Sequence, residues 1–232
     1  MGDDISAAGK NAGIILSAPF RFDRKKWLLT FSAVGISALV YTMDEPIRRH
    51  TEENRERNWD GVMDWARIYG GGHTWRIVAT GSYFGGLFLR QSKIRLMGQM
   101  LFESELITIF LVSSLKKILG RSRPYENQGA FRYRFLHDLE GSALPSGHAA
   151  TAFCLSTVLA KTIGKPEVSI ALYGMAAMTA ASRIYHDAHW TSDVILGSFI
   201  GFAVGNAAVN LHQSERIQIH SRGKTVGIRL LL

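Results

Sequence analysis

Three short clusters in this sequence combine residue types that can bind an anion and attack it. The first is "SLKKILGRSRPY", in which Lys116 and Arg123 stand seven residues apart. That spacing is two turns, so both bases lie on one face of a helix that continues until Pro124 stops it. Taken alone, the cluster reads better as the basic, snorkelling end of a membrane helix. The second is "PSGH", Pro145 to His148. A proline near a helix start, the Ser146 hydroxyl and the Gly147 N–H together make an anion site at the positive end of the helix dipole. Plain capping would account for the serine, which is a favoured N-cap, but it does not require His148.

The third cluster is "ASRIYHDAHWTSDVILG". Arg183 ends one apolar run, and Asp193 follows His189 by four residues at the start of the next. On a helix this spacing sets carboxylate and imidazole side by side. Asp193 can then accept the proton on one ring nitrogen and leave the other as a nucleophile. A histidine and an aspartate in an ordinary helix cap is the competing reading. His186 and Asp187 offer a second pair, but Asp187 precedes His189 by only two residues, so Asp193 is the preferred partner.

These residues need elements to carry them, and the distribution of apolar residues shows which. The chain has 232 residues, 47% apolar and 20% charged, averages that fit a soluble domain as well as a membrane protein. The charges, however, are crowded into blocks. Between them lie apolar runs over 27–43, 74–89, 96–115, 149–163, 168–184 and 194–211. Each is about 15 to 20 residues long, near what a helix needs to cross a hydrocarbon core of roughly 30 Å. The expectation is an all-α fold, a six-span transmembrane helix bundle with interfacial helices. A soluble bundle would show a polar stripe on each helix, and "VILGSFIGFAVGNAAVNL" shows almost none. In that run Gly197, Gly201 and Gly205 recur every four residues, the pattern that lets membrane helices approach closely. Glu103 and Glu105 interrupt the third run and must face the bundle interior or an interface.

The lone cysteine, Cys154, has no partner for a disulfide. Residues 1–26 read as an N-terminal interfacial segment, with Arg21, Arg24, Lys25 and Lys26 meeting anionic headgroups. Residues 27–211 form the membrane domain and 212–232 a tail, either a small hairpin or an unstructured end. Between the first two spans, Trp59, Val62, Met63 and Ala66 keep helical spacing and predict a surface helix. Lysine and arginine are divided almost evenly between the two faces of a six-span bundle, with a slight excess on the face holding both termini. The expected topology has both termini cytoplasmic and the clusters facing outward. Alternation of the spans brings all three clusters to one face, where three bases, a helix N-terminus and two histidines converge. That set suits holding a phosphoryl group by its oxygens and attacking it with a histidine.

Lys116, Arg123 and Pro124, then Pro145, Ser146, Gly147 and His148, then Ser182, Arg183, His189 and Asp193 together resemble the three-part signature of the type 2 phosphatidic acid phosphatase and vanadium haloperoxidase superfamily. The match holds in residue type, order and internal spacing, over residues 116–193. The resemblance implies that His189 attacks phosphorus to form a phosphohistidine and that Asp193 orients it. His148 protonates the leaving oxygen and then activates water. Lys116, Arg123, Ser146, Gly147 and Arg183 hold the phosphoryl oxygens. No metal and no other cofactor is implied. The family commonly has a proline after the tryptophan of the last motif, where this chain has Thr191, which changes a helix start and not the chemistry. Soluble members exist, but the six apolar runs place this site at a membrane surface, so the expected substrate is a lipid phosphate or lipid pyrophosphate; the alternatives are a membrane phosphatase or phosphotransferase acting on a soluble phosphate ester, and a non-catalytic phosphate-binding membrane protein. The bilayer is the expected partner, with no nucleic acid and no obligate protein partner. Tyr125 to Leu144, with Arg132, Arg134 and Asp138, is the expected loop over the site, and Asp44 to His73 a second candidate lid.

Overall fold

A computed structural model describes residues 2–21, 23–136, 141–222 and 225–230. Asp138 lies outside them. The helices are α1 (Gly2–Leu16), α2 (Arg24–Tyr41), α3 (Asp44–Glu53), α4 (Asp60–Tyr69), α5 (Gly72–Phe88), α6 (Ser92–Leu119), α7 (Gly147–Ile163), α8 (Pro166–Tyr185) and α9 (Thr191–Arg216). Six of them, α2 and α5 to α9, occupy the six apolar runs. Among the described residues two, α6 and the Thr191–Gln213 part of α9, are long and apolar enough to cross a membrane unaided. A third is available if α2 and α3, bent by 62° to one another, form one broken span. The helices α5 and α7 have 17 residues each, and at 1.5 Å per residue they reach about 25 Å, short of a full hydrocarbon core.

At the centre, α9 lies against α7 almost backbone to backbone. A methyl group at Gly197 would collide with the Ser146 carbonyl, one at Gly201 with the Ala150 carbonyl, and one at Gly205 with the Cys154 carbonyl. The four-residue glycine repeat is therefore the surface on which α7 rides, as close small-residue packing requires. Beside it, Trp75 and Ala79 of α5, Met100 and Leu101 of α6, Leu155 and Val158 of α7 and Val209 of α9 form one buried apolar cluster. Both acids of α6 face inward. Glu103 accepts from Asn11 Nδ2 at 3.3 Å and lies 2.7 Å from His212 Nε2, which ties α1 and α9 to α6. Glu105 accepts from Thr151 Oγ1 at 2.5 Å.

The N-terminal segment is more deeply engaged than an interfacial helix would be. Ile15 of α1 is buried with Ile107, Val204 and Ala208. The surface helix expected around Trp59–Ala66 is α4. It is tied to the bundle by Thr179 Oγ1 donating to the Ala66 carbonyl at 2.6 Å and by the 2.8 Å bond between the Tyr69 and Ser156 hydroxyls. At the C-terminus, β1 (Ile217–Arg222) and β2 (Thr225–Leu230) pair antiparallel with Ile217 opposite Leu230, so the hairpin alternative holds.

One local expectation fails. The helix carrying Lys116 does not run on to Pro124. It ends at Leu119, with Gly120 as a left-handed cap at φ +60 whose N–H bonds the Lys116 carbonyl. Glycine just past a last turn that carries Lys116 and Lys117 is a common helix stop, and it outranks a proline four residues later. Arg123 therefore reaches the site from an extended segment and not from the α6 face.

Candidate active site

The C-terminal ends of α6 and α8 and the N-terminal ends of α7 and α9 meet at one end of the bundle. His189 sits at that junction, buried, between α8 and α9. Its Nδ1 lies 2.7 Å from the Ala143 carbonyl oxygen. A carbonyl can only accept, so Nδ1 carries the proton and donates it, leaving the Nε2 lone pair free. Burial, then the charges of Lys116, Arg123 and Arg183, hold the His189 pKa well below its usual 6.5. The ring is thus neutral, with an unprotonated Nε2, inside a cationic pocket.

The same three cations act on His148, which is half-buried in the first turn of α7 and also feels Arg67 of α4. Lys116 Nζ donates to the Ser142 carbonyl. Arg123 Nε and Arg183 Nε are buried and have no hydrogen-bond partner among the described residues, and the same is true of Ser146 Oγ. Ser146 is the N-cap residue of α7, yet its side chain makes no capping bond. Capping therefore does not explain this serine. Its hydroxyl and the two guanidinium nitrogens are buried donors near the first turn of α7, where the helix dipole favours negative charge. Gly147 opens that helix.

The expected pairing of Asp193 with His189 is corrected. Asp193 Oδ2 is 3.9 Å from His189 Nδ1, too far for a hydrogen bond. Both carboxylate oxygens have other partners: Oδ1 accepts from Arg121 Nη1 at 2.5 Å and Oδ2 from the Trp190 N–H at 2.9 Å. The i, i+4 spacing does bring the two residues together, but stronger donors take the carboxylate. Asp187, the alternative acid, stands at φ +53 and is held by Arg48 in a two-pronged pair of 2.7 Å contacts.

Sequence reading missed three contributors. Arg121 is wholly buried and bridges Asp193 to Asp44 Oδ2, the latter at 2.7 Å. Asp44, assigned above to a possible lid, is instead a buried anchor at the α2–α3 bend, accepting from the Ser192 N–H at 3.0 Å. The Ala143 carbonyl is a main-chain group that no side-chain motif can display. The only signal for Arg121 was the glycine before it, which ends the helix and turns the chain inward. Among the lid residues, Arg48, Arg55 and Arg67 pair with Asp187, Asp60 and Asp64, and Arg134 stands 3.9 Å from Glu126.

Residues 99–217, just over half of the chain, match the family model described as the PAP2 superfamily. The chain is 42% identical over 97 residues to a lipid A 1-phosphatase of Porphyromonas gingivalis, covering 41% of this chain and 19% of that protein. It is 28% identical over 160 residues to a lipid A 4'-phosphatase of Rhizobium leguminosarum, covering 63% of this chain and 67% of that one. The aligned part thus spans about a fifth of the first relative's length. In overall fold it is similar to the crystal structure of a transmembrane PAP2 type phosphatidylglycerolphosphate phosphatase from Bacillus subtilis, with a TM-score of 0.67 at 21% identity over 83% of this chain and 98% of that one. It is also similar to Aquifex aeolicus LpxE, with a TM-score of 0.57 at 23% identity over 72% and 95% of the two chains.

Proposed function

This chain belongs to the PAP2 superfamily, and from that membership we propose that it is an integral-membrane phosphatase that hydrolyses a lipid phosphate or lipid pyrophosphate through a phosphohistidine on His189. The observation that carries the reading is the neutral, singly protonated ring of His189 facing three cations and the unpartnered Ser146 hydroxyl. Lys116, Arg123 and Arg183 neutralise the phosphoryl oxygens, while Ser146 Oγ and the N–H groups at the start of α7 donate to them. His189 Nε2 attacks phosphorus in line with the leaving oxygen. Burial and the cations hold the free His148 neutral, with its pKa pushed down to about 4. The arriving phosphoryl group offsets those cations and brings a proton that His148 takes up, and as the P–O bond to the lipid breaks His148 gives that proton to the leaving oxygen. Nδ1–H stays on the Ala143 carbonyl, which supports the positive charge the ring acquires. His148, now neutral, takes a proton from water, whose oxygen displaces Nε2 and releases phosphate. Charge neutralisation comes from side chains, so no step calls for a metal.

The lipid substrate follows from the site's position at one end of six apolar helices, which we propose as six spans. The termini are then cytoplasmic and the site faces outward. The relatives named for lipid A favour a phosphorylated glycolipid within this class. Purified protein in detergent is expected to release phosphate from lipid A, phosphatidic acid or undecaprenyl pyrophosphate with EDTA present. His189→Ala is expected to lower kcat at least about 10³-fold, as loss of an activated nucleophile does. Undiminished turnover by that variant overturns the mechanism. Faster turnover of a water-soluble phosphate ester than of any lipid overturns the substrate class.

A further inference from the structure

Arg121 is wholly buried beside the site, and the mechanism above does not use it. Its Nη1 donates to Asp193 Oδ1 at 2.5 Å and to Ser192 Oγ at 2.8 Å, its Nη2 to Asp44 Oδ2 at 2.7 Å, and its Nε to the Ala130 carbonyl at 2.9 Å. The guanidinium carbon lies 4.6 Å from the Tyr41 ring centroid and 5.4 Å from that of Trp190. Its main chain serves the same site. The Arg121 carbonyl accepts from the Ala143 N–H at 2.8 Å, and the Ala143 carbonyl is the group that takes His189 Nδ1–H. The next carbonyl, of Ser122, accepts from Trp190 Nε1 at 2.8 Å. One residue thus holds both groups that lie nearest His189 Nδ1, the Asp193 carboxylate at 3.9 Å and the Ala143 carbonyl at 2.7 Å.

Resting on the phosphatase reading above, we infer that Arg121, itself held by Asp44, is a positioning residue that keeps the Asp193 carboxylate off His189 and leaves the Ala143 carbonyl to set the ring. An arginine bound to two carboxylates in a buried site absorbs most of their charge. The other charges facing His189 are Lys116 from α6, Arg123 from the segment after it and Arg183 from α8, with His148 on α7 beside the same cations. Asp193 of α9 is the only acid within 4 Å of the ring among the described residues. With Arg121 neutralised, the Asp193 carboxylate is released to His189 and favours the imidazolium.

The experiment is a ¹⁵N-histidine NMR titration of His189 in micelles, with its resonance assigned through His189→Ala, run alongside the pH profile of kcat/KM. In Arg121→Gln the His189 midpoint and the acid limb are expected to rise together by about one pH unit, and Arg121→Lys, which keeps the charge, to restore most of the wild-type profile. In Asp193→Asn the midpoint is expected to stay within a few tenths of a unit. Its kcat is expected to fall about tenfold, where loss of a true His–Asp pair costs about 10⁴. An unmoved midpoint in a folded Arg121→Gln, or a kcat loss near 10⁴ in Asp193→Asn, overturns the inference. If Arg121→Gln does not fold, an Arg121→Lys midpoint as high as a direct His–Asp pair would give does the same. The titration needs no turnover. Wild-type protein inert on every lipid would therefore defeat the phosphatase reading while the midpoints still judge this one.

Discussion

Ser146 shows how a single side chain separates capping from chemistry. Serine at an N-cap normally bonds the N2 or N3 amide and contributes about 1 kcal/mol. Here the hydroxyl makes no such bond and is buried without a partner among the described residues. Ser146→Ala is therefore expected to leave the melting temperature in detergent nearly unchanged and to lower kcat/KM about tenfold, the size of one lost hydrogen bond to a charged phosphoryl oxygen. For His189 the sign of the pH effect follows from burial and from Lys116, Arg123 and Arg183, all of which disfavour the imidazolium. The neutral, reactive form then persists as pH falls through 6.5. The kcat/KM profile of the free enzyme should accordingly show no acid limb from this group at or above the usual histidine value of 6.5.

Among elements, the contact between α7 and α9 is the one the site depends on most. The first turn of α7 carries His148, and the first turn of α9 carries Asp193. Their relative height is set where Gly197 and Gly201 meet the Ser146 and Ala150 carbonyls. The Ser146 N–H also donates to the Asp193 carbonyl at 2.9 Å. Gly201→Ala is expected to push the helices apart, costing about 1 to 3 kcal/mol as overpacking does, visible as a lower melting temperature. Gly197→Ala, one turn nearer the site, should lose activity as well. The glycine period was legible from the run itself because helix geometry places i and i+4 together. The helix on which it packs was not.

For the whole molecule, the proposed six spans would put the site and the chain termini on opposite faces of the bilayer. In a Cys154→Ala background, Phe135→Cys lies in the exposed loop beside the site and Lys165→Cys between α7 and α8. A membrane-impermeant maleimide should label the first in intact cells and the second only after permeabilisation. The reverse pattern would invert the proposed orientation. The bend between α2 and α3 also acts at this scale. Asp44 at the bend and Ser37, whose hydroxyl donates to the Ser192 carbonyl at 3.0 Å, fasten the first long helix to the start of the last.

What the sequence determined by itself was local: the residue types of the site, the helices that carry most of them, with Arg123 the exception, and the inward turn of Glu103 and Glu105. Spacing along one chain decides which residues share a helix face, and apolar runs decide which segments become helices. What only the tertiary structure decided was which donor meets which acceptor. Asp193 and His189 are four residues apart and adjacent, yet Asp193 goes to Arg121, 72 residues away in sequence, and His189 to a carbonyl 46 residues away. A buried carboxylate takes the strongest donor within reach, and that donor is known only once the chain has closed around it.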